Sequence, residues 1–211
     1  DTYILHARKY LSLFASTSPS YLILQSLDLC NAYVANSYQQ RLSLCLKRVF
    51  DIKEHIRSHG FCVLDGEPLK IVIHTSLSGF AGAELAQVLQ GYRIECEFAD
   101  PDFVVLMASP DNSGEDCERL KQAFASIIPR SPMPQYVPRL FQSPTILSPR
   151  KAILAPSETL ALDDAAGRIC AAPTVACPPA VPIVMSGEEI TEEHICVMRY
   201  YGYTHVDVIK S

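Results

Sequence analysis

Three consecutive hydroxyl side chains, Ser16, Thr17 and Ser18, stand just before a predicted helix near the start of the chain. From residue 21 onward, apolar residues recur at helical spacing. The N-terminus of a helix carries free N–H groups and a partial positive charge, so hydroxyls placed there can hold a phosphate. The alternative is an ordinary N-cap on Ser18, which the residues alone favour because Ser and Thr caps are common.

A second group of candidates consists of carboxylates that could receive a cationic amine or guanidinium. Glu95 and Glu97 lie two residues apart in a predicted strand, with Asp100 in the turn that follows. Alternate residues of a strand share one face, so the two glutamates would form a carboxylate pair. The alternative, a solvated strand face, is favoured by the residues alone because charged strand edges are usual.

His55 and His59 form an i, i+4 pair near the thiol of Cys62, a spacing that can bind zinc on a helix. The third and fourth ligands are not evident, and histidines at a helix end also interact favourably with the helix dipole. We therefore predict no metal site. A serine hydrolase is not supported either, because no G-x-S-x-G sequence is present.

The elements that position these residues follow from periodicity. A long helix is predicted after Pro19, broken near Asn36 and Ser37 and ending at Gly60. Strands are predicted over residues 69–74, 92–98 and 103–108, and helices over 81–90 and 113–127. The turn at residues 100–102 joins two of these strands as an antiparallel pair. We expect a compact α/β layer with helices on one face, independent of the helix before Gly60.

The C-terminal third contains many prolines. Six prolines between residues 129 and 149 predict an extended connector over the surface. A helix is expected around residues 159–166, with Arg168 held by Asp163 and Asp164 as a structural pair. The Pro-rich run of residues 177–182 must be extended before Gly187 turns the chain, and Thr191 is expected to cap a helix from residue 192 to about residue 200.

Two stretches of the chain resemble one protein family. The first contains Gly167-Arg168-Ile169, then Cys177-Pro178-Pro179-Ala180-Val181-Pro182, then Ser186-Gly187-Glu188. It resembles the C-terminal signature of the bacterial ornithine/lysine/arginine decarboxylases that depend on pyridoxal phosphate (PLP), approximately G-R-I-x-A-E, P-Y-P-P-G-I-P and P-G-E. The second, residues 16–28, is similar to the family's S-T-S-P-S-Y and the apolar helix after it, ending in A-S-L-D. The stretches occur in the family's order and bracket most of the chain.

The resemblance implies a fold-type-I PLP enzyme that releases CO₂ from arginine, lysine or ornithine in polyamine metabolism. The family's Schiff-base lysine lies in S-x-H-K, upstream of S-T-S-P-S-Y, and no S-x-H-K occurs here. The chain is therefore expected to be a C-terminal portion, inactive in isolation and lacking catalytic residues of its own. The alternative is a non-catalytic remnant or assembly module that pairs with a full-length decarboxylase.

The resemblance also implies roles for particular residues. Ser16, Thr17 and Ser18 are expected to approach the PLP phosphate across a dimer interface, while Glu188 and Glu97 would shape the entrance for a basic substrate. The implied partners are a second copy, in a dimer or higher oligomer, and a missing N-terminal catalytic half. Cys177, Ala180 and Ser186 stand where the family prefers Tyr, Gly and Pro, and Ala176 stands where Pro is usual. Packing of the entrance must therefore differ from the family's.

The expected fold class is α/β with an α+β-like small domain. It combines a long helix, a small domain with a partly antiparallel sheet, and a Pro-rich helical arm. Residues 1–60 would be the helical end of the large PLP domain and residues 61–130 the small domain. Residues 131–149 would form the connector, and residues 150–211 the Orn/Lys/Arg decarboxylase C-terminal domain.

Composition limits the partners and the compartment. The chain has 211 residues, 48% of them hydrophobic, and a formal net charge of −5, so it lacks the basic footprint of a nucleic-acid-binding protein. No signal peptide or uninterrupted membrane-spanning segment is evident. The eight cysteines include no C-x-x-C pair, a pattern that favours reduced thiols in the cytoplasm over a disulfide framework.

Overall fold

The computed structural model describes residues 2–14, 18–134, 139, 143–173, 175–177 and 181–210. These residues form helices and short antiparallel strands around two clusters of buried apolar side chains. The fold is mixed α/β, as predicted.

The described chain begins with the helices α1 (Thr2–Phe14), α2 (Tyr21–Ala35) and α3 (Tyr38–Ser58). The predicted break between α2 and α3 is confirmed, and it occurs where Ser37 adopts a left-handed backbone with φ +62°. The predicted cap on Ser18 is wrong, because Ser20 is the residue that precedes the first turn of α2. α1 was not predicted.

A four-stranded sheet follows the helices. Its strands are β1 (Cys62–Leu64), β2 (Lys70–His74), β3 (Phe98–Ala99) and β4 (Phe103–Met107), in the order β1-β2-β4-β3. All three pairings are antiparallel, and the predicted turn at residues 100–102 joins β3 to β4. The sheet is thus wholly antiparallel where a partly antiparallel one was expected, and the short strand β1 was not predicted.

The predicted strand over residues 92–98 is largely wrong. Helix α4 (Gly82–Gly91) is followed by its C-cap residue Tyr92, and Arg93 then takes a left-handed backbone with φ +60°. The N–H groups of Arg93 and Ile94 donate to the carbonyl oxygens of Gln90 and Leu89, which closes the helix. Strand pairing therefore begins only at Phe98.

One face of the sheet forms the first core. Ile71 lies opposite Leu106, Ile73 lies opposite Val104, and all four side chains are buried. Helices α3, α4 and α5 (Gly114–Ser126) cover this face with further buried side chains: Cys45, Val49, Ile52, Ile56, Leu85, Leu89, Ala123 and Phe124. Because α3 contributes to this core, the expectation that the layer is independent of the helix before Gly60 is wrong.

The C-terminal part of the chain builds the second core. Its elements are α6 (Pro149–Ile153), β5 (Ser157–Ala161), β6 (Val175–Cys177), β7 (Val181–Val184), α7 (Glu192–Tyr200) and β8 (His205–Ile209). Strand β5 pairs antiparallel with β8, and β6 pairs antiparallel with β7. The core between them includes Ile183, Ile190, Ile195, Met198, Val206 and Val208.

The helix predicted around residues 159–166 is wrong. Residues 157–161 form β5, and a short 3₁₀ turn over residues 162–164 follows. Along this segment the strand is paired with β8 from end to end, from Ser157 opposite Ile209 to Ala161 opposite His205. Tertiary pairing here overrides a sequence whose local preference is helical.

The expectations for the last helix and the turn before it are confirmed. Thr191 is the N-cap of α7, and its side chain accepts a hydrogen bond from the N–H of His194. Val181–Val184 are extended, and Gly187 turns the chain with φ +90°. Residues 135–138 and 140–142 of the predicted connector, and residues 178–180 of the Pro-rich run, lie outside the described residues. Among the helices of the described chain, none has the length and apolar character needed to cross a membrane.

Candidate functional site

The predicted phosphate-binding segment is described only in part. Ser16 and Thr17 lie outside the described residues, whereas Ser18 is exposed just ahead of α2. The N-cap residue Ser20 has an extended backbone, and its hydroxyl makes no capping hydrogen bond to the helix. Hydroxyl and N–H donors thus meet at the N-terminus of a fifteen-residue helix, an arrangement whose polarity suits an anion.

Glu188 lies in the tight turn at Gly187. Its Oε2 accepts a hydrogen bond from the Met185 N–H at 2.8 Å, and its own N–H donates to the Met185 carbonyl at 3.0 Å. The Glu188 carbonyl also accepts from the Cys170 N–H at 2.9 Å. Hydrogen bonds within its own turn therefore fix the position of the half-buried Glu188. One of its carboxylate oxygens accepts one of these bonds.

Gly187 explains why this turn has its shape. A Cβ atom at residue 187 would lie 2.1 Å from the carbonyl oxygen of Leu147, inside any van der Waals contact. The N–H groups of Ile146 and Leu147 both donate to the Gly187 carbonyl, at 2.8 and 3.0 Å. The turn is thus clamped against the segment that precedes α6.

Glu97 and Glu95 do not form the expected pair on one strand face, because neither belongs to a strand. Glu97 is exposed at the bend before β3, where its N–H donates to the Val105 carbonyl at 2.9 Å. Glu95 is also exposed and accepts long hydrogen bonds from the Gln90 side-chain amide, at 3.3 and 3.4 Å. Glu97 thus belongs to the edge of the four-stranded sheet, and Glu188 to the turn beside the second core.

A direct contact joins the two cores, and no local sequence pattern indicates it. The Tyr200 hydroxyl, at the end of α7, donates a hydrogen bond to the carboxylate of Asp102 in the β3–β4 turn. Burial, and then the bond to Asp102, raise the pKa of Tyr200 above its ordinary range. The Asp102 carbonyl in turn accepts from the N–H and the hydroxyl of the fully buried Thr75, at 2.7 and 2.8 Å.

Asp100 organises the same turn. Its carboxylate accepts from the N–H groups of Asp102 and Phe103, at 2.9 and 2.6 Å. Burial raises the pKa of Asp100, and these two hydrogen bonds oppose part of that rise because they stabilise the charged form. Asp100 thus orders the β3–β4 turn, and Asp102 joins this turn to α7.

Arg168 does not pair with Asp163 and Asp164 as expected. Its guanidinium donates to the Glu158 carboxylate at 2.7 Å and to the Ile209 carbonyl at 2.8 Å, across the β5–β8 pair. Asp163 instead pairs with Arg199 of α7. Arg168 is structural, as predicted, but it stabilises the strand pair rather than the 3₁₀ turn.

The histidine pair at the end of α3 is engaged with backbone carbonyls. His55 Nε2 lies 3.1 Å from the Lys121 carbonyl, and His59 Nδ1 lies 2.8 Å from the His55 carbonyl. Across the described ranges, no three His, Cys, Asp or Glu side chains are grouped so that they could hold a metal ion.

The chain is similar to decarboxylases both in sequence and in fold. A family model described as the Orn/Lys/Arg decarboxylase C-terminal domain matches residues 144–206. The chain is 28% identical to an arginine decarboxylase of Halalkalibacterium halodurans, over 90% of this chain and 42% of that protein. It is 29% identical to an arginine decarboxylase of Bacillus subtilis, over 88% of this chain and 42% of that protein. The chain thus spans about 42% of the length of these relatives.

Among solved structures, the constitutive lysine decarboxylase of E. coli has the same fold. It superposes with a TM-score of 0.71 at 15% identity, covering 96% of this chain and 45% of that one. The lysine decarboxylase of Francisella novicida superposes with a TM-score of 0.59 at 14% identity, covering 82% of this chain and 40% of that one. Residues 144–206 therefore match the Orn/Lys/Arg decarboxylase C-terminal domain, and the chain as a whole is similar to part of these decarboxylases in sequence and in fold.

Proposed function

We propose that this chain is the C-terminal part of a PLP-dependent lyase that converts arginine, lysine or ornithine to the corresponding amine and CO₂. The supporting observation is that similarity to arginine decarboxylases extends over about 90% of the chain rather than over the matched domain alone. When bound, PLP supplies the electron sink for the loss of the carboxylate. The residues of this chain would hold the cofactor phosphate and shape the substrate entrance.

The phosphate assignment fits the chemistry at the N-terminus of α2. The uncapped hydroxyl of Ser20, the neighbouring Ser18 and the first N–H groups of the helix are donors suited to a phosphate. Ser16 and Thr17 would add two further hydroxyls. We assign Ser16, Thr17 and Ser18 to the phosphate group of the cofactor. The cofactor itself would be held by the Schiff-base lysine of an adjacent subunit.

The entrance assignment rests on Glu188. One of its carboxylate oxygens holds the Gly187 turn, and the other is the acceptor we propose for the basic end of the substrate. Glu97, exposed at the sheet edge, is the second carboxylate assigned to the entrance. Either charge would attract the ammonium or guanidinium side chain of a basic substrate.

The proposed partners are a large catalytic part that contains the S-x-H-K lysine and a second copy of the chain. Helix α2 supports an assembled state, because none of its residues is buried and it exposes large apolar side chains: Tyr21, Leu22, Ile23, Leu27 and Leu29. We propose the cytoplasm as the compartment, since the seven cysteines whose side chains are described are free thiols.

A chimera tests the proposed activity. The 211 residues would be joined to the part of the Bacillus subtilis arginine decarboxylase that precedes the matched region, and CO₂ release would be measured from carboxyl-labelled arginine, lysine and ornithine. We expect the chimera to release CO₂ from at least one substrate and the isolated chain to release none. A Glu188→Gln chimera should show a raised KM with a smaller change in kcat.

The alternative, an assembly module, predicts a different result. A chimera that folds and binds PLP but releases no CO₂, together with an isolated chain that co-purifies with a full-length decarboxylase, would favour the module. Release of CO₂ by the isolated chain would contradict both proposals, because a lysine outside S-x-H-K would then be the catalytic one.

A further inference from the structure

A cavity lies between the sheet and α5, and none of Ser18, Glu97 and Glu188 is in its lining. It has a volume of about 200 Å³ and lies where α3, β2, β4 and α5 meet the loop that follows α4. Its floor is apolar and includes the buried side chains of Ile52, Ile71 and Leu106. Its polar lining includes Arg93, Glu95, Asn112, Asp116 and Arg119.

Arg93 occupies a backbone conformation that favours glycine. It follows Tyr92, the C-cap residue of α4, with φ +60°, and its N–H closes the helix by donating to the Gln90 carbonyl at 2.9 Å. Glycine is the usual residue at this position because a side chain is strained there. A long cationic side chain is present despite that strain, and it lines the cavity. Strained residues of this kind cluster at binding sites.

Of the two arginines that line the cavity, Arg119 forms an ion pair and Arg93 forms none within the described part of the chain. Asp116 accepts from the N–H and hydroxyl of Ser113, at 2.8 and 2.9 Å, and pairs with Arg119 at 3.1 Å. Glu95 accepts from the Gln90 amide. Within the described part of the chain, no carboxylate forms an ion pair with the Arg93 guanidinium. Arg93 therefore places a guanidinium without an ion pair beside the apolar floor, while the Glu95 carboxylate in the same lining is hydrogen-bonded to a neutral amide.

We propose that this cavity binds a small carboxylate with an apolar body. The carboxylate pairs with Arg93, whose planar guanidinium suits two-point contact, and the apolar body covers Ile52, Ile71 and Leu106. A neutral analogue of the same shape loses the ion pair but keeps the apolar contact. A basic amino acid is disfavoured because its second positive charge would lie beside Arg93. This site is separate from the proposed entrance and does not depend on the proposed function.

The test compares two ligands of nearly equal shape on the 211-residue chain. 4-Methylpentanoate and 4-methylpentanamide would be titrated at millimolar concentration, and backbone and Arg side-chain N–H resonances would be followed by NMR. We expect the acid to shift the resonances of Arg93, Leu106 and Leu120, and the amide to bind at least about tenfold more weakly, as loss of a charge-assisted contact predicts. Equal binding of acid and amide, or no shift with either, would overturn the proposal.

Two variants separate binding from folding. Arg93→Gly removes the cation and relieves the left-handed strain, so its melting temperature should equal or exceed that of the original chain while binding of the acid falls at least about tenfold. Arg93→Gln removes the charge without adding backbone freedom and should lose binding to the same extent. Arg150→Gln, exposed on α6, is the control and should bind the acid normally. Undiminished binding by both Arg93 variants would refute the assignment.

Discussion

Gly187 adopts a left-handed backbone in a turn where there is also no space for a side chain. The Leu147 carbonyl oxygen would lie 2.1 Å from a Cβ added there, whereas Gly167, with φ +76°, has no atom within 4 Å of that position. Gly167→Ala should therefore cost about 1 kcal/mol of unfolding free energy, from backbone strain alone. Gly187→Ala should cost about 3 kcal/mol or more, because the clash adds to the strain.

Urea unfolding of the two glycine variants measures this difference. Gly66→Ala is the neutral control, since its backbone is not left-handed and no atom lies within 4 Å of an added Cβ. Equal losses for Gly187→Ala and Gly167→Ala would mean that the 146–148 segment moves aside and does not clamp the turn.

Asp100 should give the protein a distinct pH dependence. Burial raises its pKa above the ordinary 3.8, so in the pH range just above that value the folded state binds more protons at this residue than the unfolded state does. Its contribution to stability therefore falls as pH rises through that range. Asn at this position keeps an oxygen acceptor for the Asp102 and Phe103 N–H groups but carries no charge.

The measurement is the stability of Asp100→Asn relative to the original chain, by urea unfolding from about pH 3.5 to about pH 7. We expect the relative stability of the variant to rise with pH and then level off. A relative stability that falls with pH would show that hydrogen bonding to the carboxylate outweighs its burial.

Individual residues also show which contacts can be predicted from the sequence. The cap on Thr191 was predicted because its partners lie within one helical turn. The bond between Tyr200 and Asp102 was not, since these residues are 98 positions apart and nothing local marks either one. The assignments of Ser16, Thr17, Ser18, Glu97 and Glu188 stay predictions.

At the scale of elements, two N-caps of the same residue type differ in their contacts. Ser113 accepts from the Asp116 N–H at 3.1 Å, and the Asp116 carboxylate accepts from the Ser113 N–H at 2.8 Å, while the Ser20 hydroxyl makes no capping bond to α2. Ser113→Ala should destabilise the chain by about 1 kcal/mol, and Ser20→Ala by a few tenths at most. Thermal unfolding of both variants compares them, and a larger loss for Ser20→Ala would contradict the cap assignments.

Elements were predicted well where local and tertiary preferences agree. Residues 103–107 alternate in burial along β4 and were predicted as a strand, and residues 192–200 have both a cap and a helical period. The failures have different causes. Residues 92–97 contain no glycine to mark the left-handed turn that Arg93 adopts. Residues 157–161 have helical local preference, but their pairing with the distant β8 decides their structure.

At the scale of the whole molecule, Tyr200 joins the two cores. Tyr200→Phe removes the hydroxyl that reaches Asp102, and we expect a loss of about 1 to 2 kcal/mol because a hydrogen bond to a carboxylate is removed. Faster amide hydrogen exchange should appear together in the β3–β4 turn and in the last turn of α7. Tyr92→Phe, at an exposed tyrosine, is the control and should change neither. Exchange that rises on one side only would show that the bond does not couple the two cores.

During synthesis of the chain, β5 cannot complete its strand pairing before β8 has been made. During translation, β5 is made before its partner strand, and the backbone groups that pair with β8 stay unpaired until β8 has emerged. If translation stops between Tyr200 and His205, the resulting chain leaves β5 without its partner strand. It also lacks Val206 and Val208, two members of the second core. Nascent chains stalled at that point should be targets for chaperones and proteases, whereas chains that have emerged through Ile209 should escape them.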